Sequence, residues 1–205
     1  MPDRVTVFID YQNVYSTARN IFHPNDSTRT PQDGHISPVA VSELLVARRT
    51  RSSVLHEVRV YRGLPNPTKE PNASAANNRQ ADTWSKDPRV NVFRRPLRYP
   101  PNWPTSPAQE KGIDVALAVD LVWLGSQAAY DVAILFSRDT DLIPALEAVL
   151  NIPTPRLHIE VASWTGSSRL RFPDTNLPWC HTLRQDDYDN VKDPTNYLKR
   201  RHHTP

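Results

Sequence analysis

The sequence predicts an α/β fold: a mainly parallel sheet covered by helices on both sides. Two observations predict it. Short apolar, β-branched runs alternate along the chain with helix-compatible segments. Most of these runs, VTVFI (residues 5–9) and VAILF (residues 132–136) above all, are apolar at every position, as strands buried on both faces are. A chain of 205 residues is enough for one domain with a sizeable core and short for two.

The first strand, VTVFI, stops at Asp10, and residues 11–22 carry helical spacing. Residues 23–37, rich in Pro, Asn, Asp, Ser and Thr, read as a loop ending at Ser37, an N-cap with Pro38 at the first helical position. VAVSELLVARR is then helical and VLHEVRVY (residues 54–61) is a second strand. Residues 73–85 are compatible with a polar helix, and VNVFRRPL (residues 90–97) is a strand placed near an edge by Pro96, which has no N–H to give a neighbour. DVALAVDLVWL (residues 114–124) is an amphipathic helix, VAILF the clearest buried strand, residues 142–150 a helix and LHIEVA (residues 157–162) a last parallel strand. The domain is expected to span residues 1–183. Residues 184–205 are polar and charged and read as a frayed tail.

Composition excludes several classes. A net charge of +3 with a pI near 9.1 is too mild for a polybasic binder, though it leaves room for a local basic groove. The single cysteine, Cys180, reads as a small buried hydrophobe in a reducing compartment and excludes a disulfide scaffold. No apolar run approaches the roughly 18–20 residues of a membrane span, and no signal-peptide pattern opens the chain, so a soluble cytoplasmic protein is expected. Proline, 20 of 205, is about twice its ordinary ~5%, and its clusters at residues 65–71 and 96–107 mark surface loops.

In parallel sheets the functional crevice lies beyond the carboxyl ends of the strands, so the residues directly after VTVFI and VAILF should share one site. The first run ends in Asp10 with Asn13 three residues on, and the second in Ser137-Arg138-Asp139-Thr140-Asp141. Asp114 stands in the first turn of a helix after Lys111-Gly112, where the dipole favours an anion. Acids converging at one edge repel unless a cation sits between them, and hard oxygen ligands suit Mg²⁺ or Mn²⁺. Each acid also has a plainer reading: an Asp after a strand caps a helix or turn, as Asp139 or Asp141 could ahead of Leu142. Asp120, about 240° around the helix from Asp114, reads as structural. The histidines show no ligand spacing, and Trp123 in its apolar helix reads as core.

The segments FIDYQNV, EKGIDVALAVDLVWL and YDVAILFSRDTDLIPAL together resemble the NYN domain, the branch of the PIN-like nuclease superfamily that includes the LabA-like proteins. Its pattern is a strand with D-x-x-N, then K-G-x-D opening a helix, then a strand leading into S-G-D-S-D-F. The resemblance extends over residues 5–183, with VASWTGSSRL similar to the closing strand and the segment after it. It implies a three-layer α/β/α PIN-like fold and a metal-dependent ribonuclease, endonucleolytic on single-stranded RNA. By position, Asp10, Asp114, Asp139 and Asp141 match the acids that hold Mg²⁺ or Mn²⁺, and Asn13 matches the residue that orients Asp10 or a water. Ser137 and Thr140 match the hydroxyl positions, and Lys111 the basic residue facing a substrate phosphate. The family glycine between Ser137 and Asp139 is Arg138 here, which either narrows the pocket or reaches a phosphate.

For RNA, Arg94, Arg95 and Arg98 with Tyr99 and Trp103 combine charge and aromatic faces; the other reading is a solvated loop with its aromatics tucked onto the core. Arg169 and Arg171 form a weaker second patch. The alternative function is a non-catalytic module binding RNA or a protein partner, for which Arg138 is the best support; retention of four acids speaks against it. The resemblance also makes a homodimer plausible, and no membrane partner is expected.

Overall fold

The computed structural model describes residues 1–153, 157–168, 170 and 178–199. Strands β1 (Asp3–Asp10), β2 (Ser53–Leu64), β3 (Val90–Pro96), β4 (Val132–Phe136), β5 (His158–Trp164) and β6 (Trp179–Leu183) form one sheet in the order β3-β2-β1-β4-β5-β6. Every neighbouring pair is parallel. Helices α1 (Tyr11–Phe22), α2 (Pro38–Ala47), α3 (Pro71–Trp84), α4 (Ile113–Ser126), α5 (Ile143–Leu150) and α6 (Gln185–Val191) cover the two faces. This is the α/β/α architecture expected.

Side-chain alternation divides the core. Val5, Val7 and Ile9 of β1 pack with Val14 of α1, Leu45 of α2 and Tyr188 of α6. Phe8 points the other way and packs with Leu117 and Leu121 of α4 and Leu146 of α5. Residues 5–9 and 132–136 are all buried, which is why these runs carry no polar alternation. Ser37 caps α2 as expected, its Oγ accepting the Ala40 N–H at 3.3 Å. The polar helix is real because Asn77 and Gln80 are buried with partners: Asn77 donates to the Gly63 carbonyl at 2.9 Å and Gln80 accepts from Arg62 at 2.5 Å. β3 is an edge strand.

Four expectations are corrected. β6, a sixth strand, was hidden because its inward position His181 is polar; it is buried on Glu160 at 2.7 Å. The tail expected to fray from residue 184 instead forms α6 and stays docked as far as Tyr197. Tyr188, Val191 and Tyr197 are buried, the Ser37 N–H bonds the Val191 carbonyl at 2.8 Å, and Arg79 holds the Tyr197 carbonyl at 2.8 Å. α4 is not amphipathic: opposite its buried face of Ile113, Leu117 and Leu121 it presents Val115, Val119 and Trp123 to solvent. Trp123, read as core, is 61% exposed, two residues and so about 200° beyond Leu121. Arg169, Arg171 and the tail histidines His202 and His203 lie outside the described residues. No helix among the described residues is long and apolar enough to cross a membrane.

The strand order positions the site. From β1 the chain builds outward through β2 to β3, then returns to lay β4 on the other side of β1. Helices leaving β1 and β4 diverge, opening a crevice at their carboxyl ends.

Candidate active site

Asp10 ends β1 and is the N-cap of α1. Its Oδ1 accepts the Asn13 N–H at 3.3 Å and its Oδ2 accepts the Ser137 hydroxyl at 2.9 Å. Ser137, buried just past β4, also accepts the Asp139 N–H at 3.1 Å. Asp139 in turn caps the short 3-10 turn Thr140–Leu142, taking the Asp141 N–H at 3.0 Å. The capping reading thus holds for Asp10 and Asp139, and capping leaves both carboxylates at the crevice. The Asn13 side chain does something else: its Oδ1 accepts the Arg138 N–H at 3.2 Å and so clamps the β4 loop to α1.

Asp10, Asn13 and Asp139 line a concavity of about 420 Å³ with Arg138, Glu110 and Ser167. Glu110 was missed by sequence reasoning because no strand ends there. Its Oε1 accepts the Gly63 N–H at 2.5 Å, and a Cβ at Gly63 would stand 2.9 Å from that oxygen. Burial raises the Glu110 carboxyl, and Asp114 nearby raises it further, against the Gly63 N–H and the charge of Arg62. The signals in the sequence were Glu110 itself, directly before Lys111-Gly112, and a glycine near the end of β2.

Burial, first of all, pushes Asp10 up to about 6; Ser137 and the Asn13 N–H oppose this, and the charges of Glu110 and Asp139 add to it. Carboxylates from three segments thus line one crevice, and Asp10 feels the charge of the other two. Behind them lies a second unread residue, Arg62. Its guanidinium lies over the rings of Tyr11 and Trp84 at 4.8 and 5.4 Å, and burial holds its pKa down.

Of the remaining sequence-predicted residues, all but Arg138 lie outside the lining of the concavity. Asp114 is half-buried in the first turn of α4, behind Gly112, whose φ of 74° admits the chain to the helix. Asp141 is exposed, and Thr140 borders the adjoining hydroxyl-lined groove. Lys111 is exposed. Among the described residues Arg138 is not at positive φ, so its backbone does not need the family glycine, and its exposed side chain borders the concavity. Arg94 is engaged by Asn78 at 2.6 Å and Arg95 reaches the Gly112 carbonyl at 3.4 Å. Arg98 is exposed on a bridge to Gln109. Tyr99 is tied to Glu70 at 2.5 Å, and Lys69 lies over both the Tyr99 and Trp103 rings, at 4.9 and 5.2 Å. That arrangement agrees with the solvated-loop reading of these aromatics. Asp120 is structural, paired with Arg59 at 2.8 Å and Tyr61 at 2.7 Å.

Among the described residues no three His, Cys, Asp or Glu side chains stand close enough to close around a metal ion. The donor set nonetheless fits a hard divalent cation. It is all oxygen, it holds Asp10 against the repulsion of two other acids, and Mg²⁺ keeps several waters while taking only one or two carboxylates.

The comparisons with known proteins bear on the fold and the family. The crystal structure of a protein of unknown function from Vibrio parahaemolyticus is similar over 93% of this chain and 96% of that one, with a TM-score of 0.54 at 15% identity, a likeness of fold. No curated protein matches the chain. The family model of the NYN domain matches residues 4–151, which include Asp10, Glu110, Asp114, Asp139 and Asp141. Well over half of the chain is matched, and the chain therefore belongs to the NYN domain family, within the PIN-like nuclease superfamily.

Proposed function

We propose that this chain is a divalent-metal-dependent ribonuclease, endonucleolytic on single-stranded RNA, with Mg²⁺ or Mn²⁺ as cofactor. The observation that carries the reading is that Asp10, Glu110 and Asp139, from three separate segments, line one concavity at the β1/β4 switch point, where burial and the two other acids raise the Asp10 carboxyl. A fold keeps such a cluster where a positive ligand is to be bound. Asp10 and Asp139, with Glu110 beside them, would hold the metal; Asp114 and Asp141 would act from outside this group. When bound, the metal neutralises phosphate charge and supplies an activated water. Ser137 and the Asn13 N–H fix the Asp10 carboxylate in one orientation, so that it is preorganised. Arg138 and Lys111, exposed cations, would meet the phosphates of the strand, and Thr140 and Ser137 are the hydroxyls of the loop.

The test is cleavage of a labelled single-stranded RNA in Mn²⁺ or Mg²⁺ and in EDTA, by the parent protein and by Asp139→Asn. Asn still caps the 3-10 turn, so the variant should fold. Metal-dependent cleavage that falls by about 10³-fold or more, ~4 kcal/mol, is expected. Equal cleavage by the variant, or undiminished cleavage in EDTA, overturns the assignment. Arg138 in the concavity favours the second reading, a non-catalytic RNA-binding module; RNA bound without turnover in either metal would select it.

A further inference from the structure

A second cavity, of about 300 Å³, lies at the opposite end of the sheet, where β2, β5 and β6 begin. Arg48, Arg49, Arg51, Glu160, Trp179 and His181 line it. Seven residues of β5 separate this end from the acid crevice, roughly 20 Å at ~3.3 Å per residue.

Its floor is electrostatically complete. Glu160 accepts from Arg49 at 2.9 Å and pairs with His181 at 2.7 Å. Arg49, with its side chain only 4% exposed, also reaches Asp3 at 3.3 Å. Arg48 pairs with Asp187 at 2.5 Å and donates to the Thr182 carbonyl at 3.3 Å. Two groups at the mouth are less engaged. Arg51 has no ion pair among the described residues, and its hydrogen bond is a long one, 3.5 Å to His158. Trp179 is 69% exposed, its indole edge-on to His181 at 6.4 Å.

An open indole and a guanidinium with no ion pair among the described residues, lining one cavity over a neutralised polar floor, match one nucleotide unit: a base to stack and a phosphate to bridge. We propose that this cavity is a second contact for single-stranded RNA, with a base on Trp179 and a phosphate on Arg51. It rests on the RNA reading above but not on catalysis.

The experiment uses the full chain carrying Asp139→Asn, so that RNA survives, and a labelled single-stranded oligouridylate followed by fluorescence anisotropy across a salt series. Base stacking on an aromatic is worth about 1–3 kcal/mol, so Trp179→Ala should weaken binding about 5- to 150-fold at ~1.4 kcal/mol per tenfold. Trp179→Phe should keep most of the affinity, and Arg51→Ala should reduce the slope of log affinity against log salt by about 1. Trp179 is exposed, so melting curves of these variants should overlay that of the parent. Unchanged affinity in Trp179→Ala, or equal loss in Trp179→Phe, overturns the second contact while the RNA reading stands. A parent that binds no RNA overturns both.

Discussion

The two ends of the sheet each hold carboxylates at least half withdrawn from water, and they treat them oppositely. At the end where β5 and β6 begin, burial would raise the Glu160 carboxyl, yet His181 and Arg49 outweigh it and hold the group below its ordinary value. At the carboxyl ends of β1 and β4, burial raises Asp10 to about 6, and its neighbours Glu110 and Asp139 push in the same direction. One cluster is satisfied by the chain's own cations; the other is left in conflict. Proteins concentrate such local conflict at functional or strained sites, and the contrast teaches that acid content alone does not locate a candidate site. What matters is whether the fold supplies the counter-charge.

The largest effect is expected from breaking the satisfied end. Glu160→Gln strips Arg49 and His181 of their carboxylate, and removing one partner of a buried pair costs about 3–5 kcal/mol. Urea unfolding at neutral pH should show that loss. It should shrink in acid, because a depressed carboxyl stabilises the native state above its ordinary value and ceases to as pH falls through the folded one.

Asp10→Asn should act in the other direction and by less. A raised carboxyl contributes stability that is present below its ordinary 3.8 and is lost as pH rises through about 6. Metal-free Asp10→Asn should therefore unfold at higher urea than the parent above pH 6, by at most about 3 kcal/mol, and match it below pH 4, while cleavage is lost. A variant less stable than the parent at pH 8 would show that the acids are not in conflict.

The smallest effect belongs to Ser137→Ala. It removes a hydrogen bond to the Asp10 carboxylate, worth about 1.5 kcal/mol, and with it an influence that lowers the Asp10 carboxyl. The pH midpoint of the Asp10-linked stability change should move up from about 6, as NMR titration would also show. A midpoint that stays in place or falls would mean that Ser137 does not govern Asp10.

Much of the satisfied architecture and half of the conflicted site were legible in advance. VTVFI and VAILF announce their burial because every position faces a core, and Ser37-Pro38 announces a helix start through local cap chemistry. Asp10, Ser137 and Asp139 were legible because they sit directly at the ends of those runs. Glu110 was not, because its place depends on a loop returning to bond Gly63 at the end of β2. β6 and α6 were not, because polar groups such as His181 and Asp187, matched by Glu160 and Arg48, stand among their few buried apolar residues and break the apolar pattern. The faces of α4 were misjudged since apolar residues on both sides leave no period from which to choose the buried one.

By itself, then, the sequence determined the α/β class, the strands that carry the crevice and two of the acids at its rim, because hydrophobic periodicity and capping act over a few residues. The tertiary structure alone decided which charges meet. It set Glu110 beside Asp10, gave Glu160 its cations, and left Trp179 and Arg51 open at the far end. Those outcomes depend on strand order and crossovers, which bring together residues many positions apart, and electrostatic free energy depends on distance in space rather than along the chain.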